Sequence, residues 1–128
     1  MTVGIVLVSH SAPLAEGLAE LLAQIGSSDV PVAVAGGTSD GRLGTSVELV
    51  EKAIQAAEAG DGVVIIPDLG SSVLTVRTVL AEDSRDRAIM VDCPFVEGSV
   101  AAAVTASTGA SRDEVAEAAR QARDVPKF

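Results

Sequence analysis

The chain has 128 residues, of which 48% are hydrophobic and 21% charged, close to ordinary globular usage and unlike a disordered segment. Nine basic residues against eighteen acidic ones leave a net charge of -9, and aromatic residues make up only 2%. Such a surface repels phosphate backbones and anionic lipid and lacks rings on which bases stack, so neither nucleic acid nor membrane is expected as a partner. One cysteine and one histidine exclude an internal disulfide and a structural zinc site. With no basic leader and no apolar run of bilayer length, a cytoplasmic location is expected, and the length suits a single domain over residues 1–128.

Strand-like and helix-like segments alternate along the chain, which predicts a parallel α/β sheet. The first strand is the unbroken apolar run Val3 to Val8, of the kind covered on both faces. Ser9-His10-Ser11-Ala12 follows as a loop, with Pro13 at the start of a helix whose Leu14, Leu18, Leu21, Leu22 and Ile25 fall on one face before Gly26. Val30 to Ala35 is a second strand. It leads into the loop Gly36 to Gly44 and a helix from about Thr45, with Val47, Val50, Ile54 and Ala57 expected inward and Gly60 at its end. Gly62 to Pro67 is the third strand, 68–72 its loop, and Val73 to Glu82 the next helix. Arg87 to Val91 reads as a fourth strand and 92–97 as an irregular loop holding Cys93, expected to be a small buried residue. Two closing helices, Gly98 to Ser107 and Ser111 to Arg123, meet at Gly109, the last with a small-residue face of Val115, Ala118, Ala119 and Ala122.

Sites in open parallel sheets lie at the carboxyl ends of strands, beside the point where strand order reverses. The loops at 9–12, 36–46 and 68–72 occupy such ends and carry the least core-like residues. In the common order 2-1-3-4, His10 and Asp68 follow neighbouring strands about 4.8 Å apart. A carboxylate that accepts from Nδ1–H fixes the tautomer and leaves the Nε2 lone pair free to act as a base, bind a metal or attack phosphorus. With no second histidine or thiol nearby, metal binding has little support. Gly36-Gly37-Thr38, Gly44-Thr45-Ser46 and Gly70-Ser71-Ser72 supply N–H groups and hydroxyls, two of them at helix starts that favour phosphoryl oxygens. Each feature also has an ordinary reading. A loop histidine often sits on the surface, Asp68 and the Gly-Ser pairs suit helix caps, Arg42 suits a solvated loop, and Glu97 complements a helix dipole. No P-loop or dinucleotide fingerprint occurs.

Gly-Ile-Val-Leu-Val-Ser-His-Ser, then Gly-Gly-Thr-Ser-Asp-Gly-Arg-Leu-Gly-Thr-Ser, Asp-Leu-Gly-Ser-Ser and Pro-Phe-Val-Glu-Gly occur in that order. Together, over essentially the whole chain, they resemble the phosphocarrier subunits of phosphoenolpyruvate-dependent dihydroxyacetone kinases, a branch of the mannose-type EIIA domains of the bacterial phosphotransferase system. The resemblance implies a three-layer fold with a parallel 2-1-3-4 sheet, and a homodimer. It implies that His10 is phosphorylated at Nε2 by HPr, that Asp68 orients it, and that Gly37, Thr38, Thr45 and Ser71 serve as phosphoryl or loop contacts. The phosphoryl group would pass to ADP on the nucleotide-binding kinase subunit, whose ATP phosphorylates dihydroxyacetone. This chain would carry no cofactor or metal of its own, the nucleotide and magnesium residing on the partner subunit.

The two other readings within this chemistry are an EIIA domain serving a sugar-permease IIB domain and a regulatory module switched by phosphorylation. A small-ligand-binding domain without phosphoryl chemistry is a third. Members of the family that continue into HPr-like and enzyme I-like domains have no counterpart here, so a separate HPr is expected. Ser72, where relatives have Ala, and Arg77 depart from the pattern and bear on the partner surface. An unperturbed histidine has a pKa of about 6.5, and too strong a bond to Asp68 would protonate the nucleophile.

Overall fold

The first strand is aliphatic on both faces because both are covered. In β1 (Gly4–Ser9) every residue is buried, Ile5 and Leu7 in one core cluster and Val6 and Val8 in the other. This is a computed structural model, which describes residues 2–26, 28–83 and 86–128. The elements that follow are α1 (Ala12–Ile25), β2 (Val32–Gly36), α2 (Val47–Ala57), β3 (Val63–Pro67), α3 (Gly70–Glu82), β4 (Ala88–Met90), α4 (Phe95–Ala106) and α5 (Arg112–Gln121), ending in a short 3₁₀ turn over Ala122–Asp124. The strands form one sheet of order β2-β1-β3-β4, all pairs parallel, as the sequence predicts. Helices α1, α4 and α5 contribute Leu18, Leu22, Ala102, Ala103, Val115 and Ala119 to the cluster on one face. On the other face, α2 and α3 contribute Val50, Ala53, Ala57, Val76 and Val79.

Helix starts follow local chemistry. Ser11 Oγ accepts from the Leu14 amide at the head of α1, with Pro13 in the first turn, where its missing N–H costs no helical bond. Ser111 and Glu114 form a reciprocal capping box on α5, at 3.2 and 3.1 Å. Helix α3 begins at Gly70 rather than Val73, and α4 at Phe95 rather than Gly98. Both gain a first turn from residues whose composition reads as loop. In α4, Gly98 N–H closes onto the Pro94 carbonyl at 2.8 Å.

Burial departs from the expected stripes in three places. Leu18 and Leu22 of α1 are buried together with Ala15, whereas Leu14, Leu21 and Ile25 remain 42–47% exposed. The first three centre about 70° around the helix from the other three, so one sheet face cannot cover both groups. Val47 is 37% exposed at the rim of α2, ahead of the buried turn that starts at Val50. In α5, Ala116 is buried and Ala118 only half-buried, because Val115, Ala116 and Ala119 are the residues that meet the core. Cys93 is half-buried rather than enclosed.

Candidate functional site

Parallel pairing brings the ends of β1 and β3 together. Val8 pairs with Pro67, and the Asp68 amide extends the ladder by donating to the Val8 carbonyl at 3.0 Å. Asp68 is one residue beyond Pro67 and His10 two residues beyond Val8, at the reversal of strand order. His10 Nδ1 lies 2.9 Å from Asp68 Oδ1, and the His10 amide donates to Oδ2 at 3.1 Å.

Asp68 is the hub of the site. Ser9 Oγ donates to its Oδ2 at 2.8 Å. Ser72 Oγ and the Leu69 amide donate to its Oδ1, each at 2.7 Å. The N-cap of α3 is Leu69 and no side chain caps the helix, so Asp68, whose residue type suits a cap, lies one residue outside it and serves the histidine instead. Burial works against ionisation of Asp68, but the hydrogen bonds from Ser72, Ser9 and His10 outweigh it and hold the carboxyl at about 2. The ring therefore faces a carboxylate, which accepts from Nδ1–H and leaves the Nε2 lone pair as the reactive one.

The Nε2 atom contacts Ser71 Oγ, an exposed hydroxyl in the first turn of α3. Ser71 Oγ thus covers Nε2. Ser9 and Ser72, by contrast, have no solvent exposure. Ser9 Oγ additionally accepts from the Ser11 amide at 3.1 Å, tying the start of α1 to the same carboxylate.

The 36–46 loop folds over the other side of His10. Gly37, at φ +71°, donates to the Ser9 carbonyl at 3.0 Å, and Gly44 donates to the His10 carbonyl at 2.9 Å. Thr38 pairs its amide with the Arg42 carbonyl at 2.9 Å, and its hydroxyl contacts Asp40. Thr45 Oγ1 meets Thr75 Oγ1 at 2.6 Å, joining the loop to α3, while Ser46 caps α2 through the Leu49 amide. Of the residues named from sequence, Asp68, Ser71 and Ser72 touch the imidazole. Gly37, Thr38 and Thr45 shape the loop beside it, with the amides of Gly37 and Thr38 already engaged. Sequence alone does not single out Ser9, because a hydroxyl preceding a histidine carries no motif, and the Gly44 amide, read there as a donor toward phosphoryl oxygens, is instead spent on the His10 carbonyl.

Elsewhere, Arg42 pairs with Asp40 at 3.4 Å and Glu97 with Lys127 at 3.1 Å, both in exposed positions. Arg77 is exposed on α3 and lines, with Asp68, Val73 and Cys93, a cleft of about 450 Å³. Among the described residues no group of three or more His, Cys, Asp or Glu side chains is arranged to hold a metal ion, and no helix is long and apolar enough to cross a membrane.

Comparison with known proteins gives this geometry a family. The model of the EIIA-man family, described as the fructose IIA component of the phosphotransferase system, matches residues 4–116. A phosphoryl donor subunit DhaM of a PEP-dependent dihydroxyacetone kinase from Listeria innocua is 33% identical over 88% of this chain and 93% of its own length. A second such subunit from that organism is 41% identical over 78% of each chain. The Escherichia coli DhaM subunit is 37% identical over 88% of this chain, which spans 25% of that longer protein. In three dimensions, the crystal structure of EF1359, a protein of unknown function, superposes with a TM-score of 0.84 at 32% identity, covering 100% of this chain and 98% of its own. The chain belongs to the EIIA-man family, and within it to the group of the DhaM subunits.

Proposed function

We propose that this chain is a phosphohistidine carrier, the phosphoryl donor subunit of a dihydroxyacetone kinase, loaded on His10 Nε2 by HPr. The acceptor in this reading is ADP held on the nucleotide-binding kinase subunit. The relatives named above are phosphoryl donor subunits of such kinases, which favours that acceptor over a sugar-permease IIB domain.

The observation that carries the reading is the His10–Asp68 pair at 2.9 Å, with Nε2 turned toward the head of α3. On loading, the Nε2 lone pair forms the new N–P bond while the donor's bond to phosphorus breaks and its electron pair returns to the donor. The ring takes on positive charge, and Nδ1 keeps its proton against the Asp68 carboxylate. Ser71, displaced from Nε2, is placed to donate to a phosphoryl oxygen at the N-terminal end of α3, an end whose dipole favours negative charge. On discharge the P–N bond breaks toward Nε2 and the ring is neutral again. The group neither reduces nor oxidises anything, so the chain works as a carrier and the kinase subunits carry the chemistry on dihydroxyacetone.

A homodimer belongs to the same reading. The exposed Leu14, Leu21 and Ile25 flank of α1 supplies apolar surface for it, and sedimentation equilibrium measures it directly.

The deciding experiment is intact-mass measurement after incubation with phosphoenolpyruvate, enzyme I and HPr. One acid-labile phosphoryl adduct on the wild type and none on His10→Ala is the expected result. Wild type without an adduct, beside an HPr control that is loaded, overturns the proposal. Addition of the kinase subunits, ADP and dihydroxyacetone then tests the acceptor, with a permease IIB domain as the competing one.

A further inference from the structure

The site holds one more hydroxyl than orienting an imidazole requires. Asp68 Oδ1 receives the His10 Nδ1–H at 2.9 Å and the Leu69 amide at 2.7 Å, and it also receives the Ser72 hydroxyl at 2.7 Å. Ser72 has no solvent exposure, and its Oγ stands 3.1 Å from His10 Nδ1 as well. A serine hydroxyl has one proton to give. With that proton on the carboxylate, Ser72 competes with His10 for the same oxygen and presents only a neutral lone pair to Nδ1–H.

We propose that Ser72 is a positioning residue for His10, sharing the Asp68 carboxylate with the imidazole and so limiting how firmly that carboxylate holds the ring proton. The inference rests on the reading of His10 as phosphoryl acceptor for its consequence, though not for its geometry. A carboxylate relieved of the Ser72 donor would pull harder on Nδ1–H and favour the imidazolium, whose Nε2 lone pair is no longer available for attack. Losing the Ser72 lone pair acts in the opposite direction. That term is the smaller one, because a neutral oxygen at 3.1 Å attracts the ring N–H less than a carboxylate at 2.9 Å.

The charged groups on the elements that flank the ring are Asp40 and Arg42 in the loop after β2, Glu16 and Glu20 on α1, and Arg77 and Glu82 on α3. All are exposed, and the first two pair with each other at 3.4 Å. Asp68 is the ionised group bonded to the ring.

His10 is the only histidine in the chain, so its ring signals can be titrated by NMR without overlap. In Ser72→Ala the imidazole is expected to titrate about 0.5 to 1 pH unit above wild type. Loading by HPr on the acid side of the profile is then about three- to tenfold slower, and the profile is displaced toward alkali. Ser72→Cys, with a weaker donor of similar size, is expected to fall between the two. Titration curves of Ser72→Ala that coincide with wild type, whatever happens to its melting temperature, overturn the proposal and leave Ser72 a packing residue. The titration needs no phosphoryl donor. A wild type that HPr cannot load therefore strikes the carrier reading, while the comparison of curves still decides the role of Ser72.

Discussion

The amide of Gly44 donates to the carbonyl of His10 at 2.9 Å, so the loop after β2 is fastened to the backbone of the residue proposed to carry the phosphoryl group. Gly44 has φ +137°, and a Cβ there would stand 2.9 Å from Thr38 Cγ2. Gly44→Ala is expected to displace the loop and the imidazole together. Because reacting groups tolerate little misplacement, loading of His10 should fall about tenfold or more, with the melting temperature changed by only a few degrees. Normal loading in that variant would show that the loop does not position His10.

Asp68 accepts from two fully buried hydroxyls, Ser9 and Ser72, as well as from His10 and the Leu69 amide. Asp68→Ala therefore removes more than an orienting group. It leaves buried donors without an acceptor, at a cost of about 2–4 kcal/mol, and it frees the imidazole to adopt the other tautomer. Denaturant unfolding should show a folded but less stable protein, and loading should drop by at least about tenfold. A variant as stable as wild type would contradict the hydrogen-bond network.

The acid limb of stability should bear the mark of the same carboxylate. Asp68 is held at about 2 in the folded protein against an ordinary 3.8, burial being outweighed by the bonds from Ser72, Ser9 and His10. A carboxyl depressed by folding stabilises fully above its unfolded value, and that stabilisation is lost as pH falls through the folded one. Wild type is expected to lose stability between about pH 4 and pH 2, and Asp68→Asn to show a shallower slope over that window. Equal slopes in urea midpoints measured across the window would remove Asp68 from the acid response.

A Cβ on Gly98 would lie 2.3 Å from Cys93 Sγ and 2.8 Å from its Cβ, so the first turn of α4 sits against the loop after β4 only because the side chain is absent. Gly98→Ala should destabilise by about 1–3 kcal/mol through overpacking. Adding Cys93→Ala removes the Sγ clash but keeps the Cβ, so it should recover part of that loss, a coupling readable in a double-mutant cycle. Burial, with Asp92 adding to it, pushes the Cys93 thiol up to about 11, so wild-type alkylation at neutral pH should be slow compared with a free thiol. Additive single-mutant effects would show that the two residues do not share the space.

Much of this was legible from local pattern. The unbroken aliphatic runs of β1 and β3 announce strands covered on both faces, and the alternation of runs with helical periodicity leads to a parallel sheet. Residues 9–10 and 68 stand at strand ends, where such sheets build their sites. The starts of α3 and α4 were less legible. Gly70-Ser71-Ser72 and Phe95-Val96-Glu97 have loop-like composition, and packing against the rest of the chain rather than propensity makes them helical. Leu14, Leu21 and Ile25 share a helical stripe with buried residues, and periodicity alone does not say how wide a face the sheet covers.

The sequence by itself determined the aliphatic two-sided sheet, the acidic surface, and a lone histidine and an aspartate each following a strand. Period and composition are local properties, and these features follow from them. Only the tertiary structure decided that Ser9 and Ser72, distant in the chain, close on the two oxygens of Asp68, and that the Gly44 amide fastens the loop to His10. Hydrogen bonds between residues 59 apart, such as Ser9 to Asp68, depend on the register of β1 against β3. That register is fixed by packing both strands between two helical layers, which no window of sequence contains.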